Sequence, residues 1–105
     1  MKVIVMDVKD FTVKEFNLTG PEGSFFKDFL YPTIGTNVVE RVCIEKNDFW
    51  IDEEGNLKSP TRFVRCFGQL FAGTVVIAGH KGSVSCDTSM TLEDVKRKTT
   101  FMVQP

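Results

Sequence analysis

Apolar residues are grouped in short segments along the chain, and most of these segments have strand character. Residues 2–8 are rich in Val and Ile, and residues 12–18 include Val13, Phe16 and Leu18. β-Branched and aromatic residues favour extended backbone, so these segments predict two strands joined by a short turn. The strongest signal is the apolar run 74–78, which is bounded by Gly73 and Gly79. A continuous run of this kind is typical of a strand covered on both faces, and it predicts a central strand.

Three further segments extend this pattern. Residues 37–45 carry Val and Ile on either side of two charged residues, which predicts another strand, and residues 48–51 continue that strand character. The acidic run 52–56 predicts a turn, because its glycine can adopt positive φ. Residues 81–89 would form a polar loop. Residues 101–103 would add a short edge strand near the end of the chain.

Helical signals are confined to three short stretches. The first helix would begin after Ser24 and end at Pro32. Its apolar stripe consists of Phe25, Phe26, Phe29 and Leu30. A second helix is predicted from Arg62 to about Phe67, because Ser-Pro-Thr precedes it. Thr91 and Asp94 have the spacing of a capping box, which predicts a third helix over residues 92–99.

A doubly wound nucleotide-binding fold requires strands that alternate with long helices, and this chain lacks that alternation. The pattern predicts one α+β domain covering residues 1–105. Its antiparallel or mixed sheet would have about five strands, accompanied by two or three short helices.

The composition is that of an ordinary globular chain, with 42% hydrophobic and 26% charged residues. A net charge of -1 makes binding to nucleic acid or to an anionic membrane unexpected. Asp7 interrupts the first apolar run too early for a signal peptide or a membrane span. The three cysteines, at positions 43, 66 and 86, fit reduced thiols better than a disulfide framework. We therefore expect a cytoplasmic protein.

The two halves of the chain carry opposite charge. Residues 1–57 have 6 Lys/Arg against 11 Asp/Glu, a balance of -5, and residues 58–105 have 7 against 3, a balance of +4. Opposed charge can favour self-association or attract an acidic partner. Alternatively, the two halves interleave in the fold and the asymmetry disappears.

No recognised catalytic or metal motif is present. His80 is the only histidine, and no two Cys or His residues have the close spacing of a structural zinc site. Neither a phosphate-binding loop nor a dinucleotide-binding glycine pattern occurs. We therefore predict no metal and no cofactor. A nucleophilic pair between His80 and either Cys66 or Cys86 is one remaining alternative, since residues distant in sequence can meet in a fold.

Basic residues offer a possible site for an anionic small molecule. His80 and Lys81 lie at the start of a glycine-bracketed basic loop, where backbone amides and a lysine can receive an anion. Arg62 and Arg65 are three residues apart on the predicted second helix, so they could share a face and hold a phosphate. The alternative for all four residues is ordinary solvated charge.

The chain is rich in aromatic residues, with 10 Phe, 1 Trp and 1 Tyr. A small core cannot hide all of them, and an exposed aromatic patch marks a protein-binding surface. The candidates for such a patch are Phe25, Phe26, Phe49, Trp50 and Phe71. Core packing is the alternative for each.

Three stretches carry a family resemblance. They are Ile34-Gly35 followed by a strand ending in Val39-Glu40, the turn 52–57 followed by Arg62, and the Ala-Gly-Thr strand at 71–79. In order and spacing they resemble a small domain family encoded by phages, plasmids and conjugative elements of Firmicutes. Asp52 stands where that family prefers Asn, and Thr61 stands where the family has Asn before the arginine.

The resemblance implies a mobile-element setting in a bacterial host cytoplasm, where short accessory proteins often bind and disable a host factor. We therefore expect a non-enzymatic binding protein of a phage or mobile element. It would act by contact with a host or phage protein, such as a host defence or regulatory factor. The alternatives are a small-molecule or nucleotide-binding protein and a small Cys-dependent enzyme.

Overall fold

The computed structural model describes residues 1–20 and 24–104, which form two sheets and short helical segments. The strands in chain order are β1 (Lys2–Asp7), β2 (Thr12–Asn17), β3 (Val39–Ile44), β4 (Asn47–Asp52), β5 (Arg62–Cys66), β6 (Gln69–Ala72), β7 (Val75–Lys81), β8 (Val84–Cys86) and β9 (Thr99–Val103). The helical segments are a π-helical stretch (Phe25–Leu30) that runs into α1 (Tyr31–Ile34), a 3-10 stretch (Gly55–Lys58) and α2 (Leu92–Lys98).

The larger sheet has the strand order β2-β1-β7-β4-β3, and β8 pairs with the far end of β7. β7 is therefore central, and its first five residues are buried. This confirms the central strand predicted from the apolar run. The hairpin of β1 and β2 was also predicted correctly.

The smaller sheet, with the order β6-β5-β9, packs with α2 on one face of the larger sheet. The core between the two sheets is formed by buried apolar residues, including Ile4, Met6, Phe49, Val64, Phe71, Ile77 and Val95. The π-helical stretch and α1 cover part of the opposite face, where a second core contains Val3, Val5, Phe25, Leu30, Val76 and Ala78. The molecule thus has three layers.

The fold is mainly β and broadly of the α+β kind, as predicted in outline. The sheet content is larger than predicted, because the described residues form nine strands in two sheets where the pattern indicated about five in one. The strand pairs of the described residues are antiparallel. No helix of the described residues is long and apolar enough to cross a membrane.

The predicted helix from Arg62 to Phe67 is wrong, because this segment forms β5. Val64 and Cys66 are buried and Arg65 between them is exposed, which is the alternation of a strand covered on one face. Phe67 and Gly68 both have positive φ, at 49° and 77°, and they turn the chain into β6. Hairpin pairing overrides the local helix signal of the preceding Ser-Pro-Thr.

Three other boundaries differ from the prediction. Pro32 does not end the first helix but lies in the first turn of α1, where proline is tolerated; the helix ends at Gly35, whose φ is 95°. Residues 37–51 are not one extended strand, because Glu45 and Lys46, with φ of 50° and 65°, form a tight turn between β3 and β4. Part of the predicted polar loop 81–89 forms β8.

The last two elements, α2 and β9, form where the capping and strand signals of the sequence predicted them. The Thr91 hydroxyl oxygen accepts a hydrogen bond from the Asp94 backbone N–H at 3.2 Å and caps α2. The predicted edge strand is present as β9, at one side of the smaller sheet.

Candidate functional site

The side of the smaller sheet that faces away from the core, which we term the outer face, displays an ordered set of side chains. In the register, Phe63 lies between Ala72 and Met102, and Arg65 lies between Leu70 and Thr100. Side chains alternate between the two sides of a sheet, so these residues oppose the buried Val64. Leu70 is 49% exposed and Met102 is 40% exposed. The outer face is therefore an apolar patch with one arginine in its middle strand.

The layer formed by the smaller sheet and α2 is basic. Residues 58–74 and 91–104 supply this layer and carry 6 Lys/Arg against 2 Asp/Glu, a balance of +4, which leaves -5 for the rest of the chain. From the second half of the chain, only β7 and β8 join the larger sheet with strands of the first half. The charges they bring, Lys81 and the nearby Asp87, cancel each other, so this mixing does not remove the asymmetry. The two charged halves of the sequence thus become largely separate layers.

Several cations of this layer have partners within the molecule. Arg97 pairs with Asp94 at 2.6 Å, and the Lys98 ammonium lies 4.9 Å from the centre of the Phe67 ring. Arg65 and Lys96 are exposed, and neither forms an ion pair among the described residues. These two charges are available to an external partner.

Arg62 and Arg65 do not come together as predicted. Positions three apart in a strand lie on opposite sides of a sheet, unlike positions three apart in a helix. The Arg62 guanidinium donates hydrogen bonds to the backbone oxygens of Val8 and Lys9, at 3.1 and 2.7 Å, and lies over the Phe11 ring. Arg62 therefore fastens the turn between β1 and β2 to the smaller sheet, while Arg65 belongs to the outer face.

His80 is held by a buried carboxylate. Its Nδ1 lies 2.9 Å from Oδ1 of Asp48, a residue that is 1% exposed, and Nε of Arg41 is 3.9 Å from the same oxygen. Oδ2 of Asp48 is buried and has no hydrogen-bond partner within the described part of the chain. Such a carboxylate fixes the orientation of the imidazole, which is partly exposed. Asp48 was not among the predicted site residues, although an acidic residue next to the apolar triplet 49–51 of β4 was a usable signal.

A pocket of about 580 Å³ lies between the π-helical stretch and β8, and neither His80 nor Asp48 is among its described lining residues. Its described lining combines the aromatic Phe25, Phe26 and Phe29 with the polar Asp28, Ser83 and Ser85, among others. His80 and Lys81 of β7 pair with Ser85 and Val84 of β8, which line the pocket. These two predicted anion-binding residues therefore pair with lining residues but do not themselves line the pocket, and the two predicted arginines are in another layer.

The aromatic residues expected at a binding surface are mainly core residues. Phe25, Phe49 and Phe71 are buried. Phe26 and Trp50 are half-buried and pack edge to face, with ring centres 5.1 Å apart. Exposed large apolar side chains occur at several places among the described residues: Leu70 and Met102 lie on the outer face, whereas Phe11, Phe16, Val38, Leu57, Val84 and Val103 lie elsewhere.

Neither Cys66 nor Cys86 forms the predicted nucleophilic pair with His80. Burial raises the pKa of the Cys66 thiol to about 12, whereas a nucleophilic cysteine needs a lowered pKa. Cys86 is opposite Gly79 and therefore on the other side of the sheet from His80. No cluster of three metal-binding side chains occurs among the described residues.

Comparison with known proteins adds no relative. No family model, curated protein or solved structure matches this chain.

Proposed function

We propose that this chain is a non-enzymatic binding protein that contacts an acidic surface of another protein through its outer face. The observation that carries the proposal is the register that places exposed Leu70 and Met102 around the unpaired Arg65, in a layer with a balance of +4. Apolar side chains around an arginine are typical of the centre of a protein interface.

The physical role of each part differs. Burying Leu70, Met102 and Phe63 against a partner removes apolar area from water and supplies most of the binding free energy. Arg65 would pair with a carboxylate of the partner, and the basic layer would speed association with an acidic surface. These roles need no reacting group.

The biological setting follows from the family resemblance of the sequence. It suggests a protein of a phage or mobile element that acts in a bacterial cytoplasm. The partner would be a host defence or regulatory factor whose contact surface is acidic.

A photo-crosslinking amino acid in place of Leu70 is expected to give a specific adduct in host-cell lysate. The matched control carries the same group in place of Val84, which is 42% exposed but lines the pocket in a different layer. Arg65→Glu added to the Leu70 crosslinker should reduce the adduct at least about tenfold, because it reverses the charge that faces the partner. Mass spectrometry of the adducts checks the result.

Three outcomes would contradict the proposal: no adduct from position 70, an equal adduct from position 84, or an adduct unaffected by Arg65→Glu. The melting temperature of each variant must stay within a few degrees of the parent protein, so that loss of the adduct cannot reflect unfolding.

A second candidate function, ligand binding, is favoured by the pocket between the π-helical stretch and β8. Its aromatic walls and serine hydroxyls suit a flat polar ring such as a nucleoside. We expect a nucleoside at 100 times its dissociation constant to stabilise the protein by about 2.7 kcal/mol. Ser83→Phe should abolish that thermal shift by filling the pocket, and the absence of any shift across a nucleoside and nucleotide panel would exclude this function.

A further inference from the structure

We infer that the open edge of β9 binds an extended acidic segment of the partner protein as an additional antiparallel or parallel strand. This inference rests on the proposed function, because it names the binding mode of the same partner. It concerns the backbone edge beside the outer face.

The hydrogen-bond pattern identifies which backbone groups of β9 are free. The Gln104 N–H donates to the Thr61 oxygen at 2.8 Å, next to the paired residues Arg62 and Val103. Bonding alternates along an antiparallel pair, so the next bonded residue of β9 is Met102, whereas Phe101 and Val103 direct their N–H and C=O groups away from β5.

The other side of β5 supports this alternation. The Gly73 N–H donates to the Arg62 oxygen, so Arg62 bonds towards β6 and not towards β9. The N–H groups of Phe101 and Val103 have no hydrogen-bond partner among the described residues. A strand that docks there would gain backbone hydrogen bonds at two successive outward positions.

β9 lacks the features that normally protect an edge strand. Its sequence, Thr-Thr-Phe-Met-Val, contains no charge, and Met102 and Val103 are exposed. By contrast, the edge strands β2 and β3 of the larger sheet carry Lys14 with Glu15 and Glu40 with Arg41. Charged residues on an edge oppose pairing with another chain. β6, the other edge of the smaller sheet, is only four residues long.

Charge favours an acidic segment over a second copy of this chain. Lys96, Arg97 and Lys98 directly precede β9, and Arg65 lies on the adjacent strand. Pairing β9 with β9 of a second copy would bring two layers of balance +4 side by side. An acidic strand would instead be attracted, and its alternate side chains would lie beside Met102 and extend the outer face.

The test compares Val103→Pro with Val103→Thr. Proline removes the outward N–H and blocks the edge without breaking a bond to β5, whereas threonine keeps both the N–H and the shape of the side chain. The probe is the protein captured through position 70, purified and titrated against each variant. We expect Val103→Pro to weaken binding at least about tenfold and Val103→Thr to stay within about twofold of the parent protein.

Two further variants complete the test. Met102→Pro should lower the melting temperature clearly, because it removes a bond to β5, while Val103→Pro should leave the melting temperature nearly unchanged. Replacing Lys96 and Lys98 together with Glu should weaken binding by about tenfold if the segment is acidic.

The outcomes separate this inference from the proposed function. If the protein captured at position 70 binds Val103→Pro as well as Val103→Thr, the outer face stands and the edge inference is wrong. If position 70 captures nothing, the outer face is wrong, and a crosslinker at position 103 decides the edge: a heterologous adduct that is lost when Lys96 and Lys98 are replaced with Glu supports the inference, and no adduct contradicts it. An adduct between two copies of this chain, or binding unaffected by the Lys96 and Lys98 changes, contradicts an acidic segment.

Discussion

Phe49→Ala is expected to lower the free energy of unfolding by about 4 kcal/mol. Phe49 on β4 is fully buried, and its ring packs against Phe67 and Phe71 of the smaller sheet, with centres 5.6 and 6.1 Å apart. Truncation removes apolar contact and leaves a cavity between two sheets that cannot easily close. Because domains are stable by only about 5–15 kcal/mol, this one change should remove a large part of the total.

Urea unfolding followed by circular dichroism measures this effect. Phe49→Leu should cost about 1–2 kcal/mol, because it keeps most of the buried apolar volume. Leu57→Ala is the surface control, since Leu57 is 82% exposed, and it should stay within about 0.5 kcal/mol of the parent protein. A loss below about 1 kcal/mol for Phe49→Ala would show that the smaller sheet does not pack on β4 as described.

Asn47→Ala is expected to cost about 3 kcal/mol, the second-largest effect. The buried Asn47 side chain donates to the Glu45 backbone oxygen and the Ser89 hydroxyl, and it accepts from the Thr88 hydroxyl and the Ser89 N–H. The change leaves the buried Thr88 hydroxyl and the Ser89 N–H without this acceptor. An unsatisfied buried polar group costs about 1–3 kcal/mol.

The same denaturation measurement, with a matched control, tests this network. Ser89→Ala removes only one partner of the amide at an exposed position, so it should cost no more than about 1 kcal/mol. If both variants lose the same small amount of stability, Asn47 does not hold the segment that follows β8.

The position of that segment also depends on Gly79. A Cβ at Gly79 would collide with the backbone carbonyl of Asp87, so only glycine allows the chain to cross β7 this closely. The sequence marked Gly79 as the boundary of an apolar run. Its role in admitting another backbone could be recognised only from the fold, because Asp87 reaches it by a tertiary contact.

In the candidate site, too, the residues are visible in the sequence, but their exposure and their contacts follow from the fold. Leu70 and Met102 are unremarkable aliphatic residues in the sequence, and their exposure follows from which side of a three-stranded sheet faces the core. Asp48 and His80 are 32 residues apart in sequence and meet because β4 pairs with β7. Arg62 and Arg65 separate because a strand replaced the helix that their spacing suggested.

Local sequence signals were sufficient to predict the elements that depend on neighbouring residues: the hairpin of β1 and β2, the buried strand β7 and the capped helix α2. In each of these, backbone preference, apolar pattern and end signals agree within a few residues. Three features could be recognised only in the folded chain: residues 62–66 form a strand, one side of that strand is covered, and the edge at β9 remains open. These outcomes depend on pairing and burial between distant segments, whose free energies exceed local preferences of a few tenths of a kcal/mol.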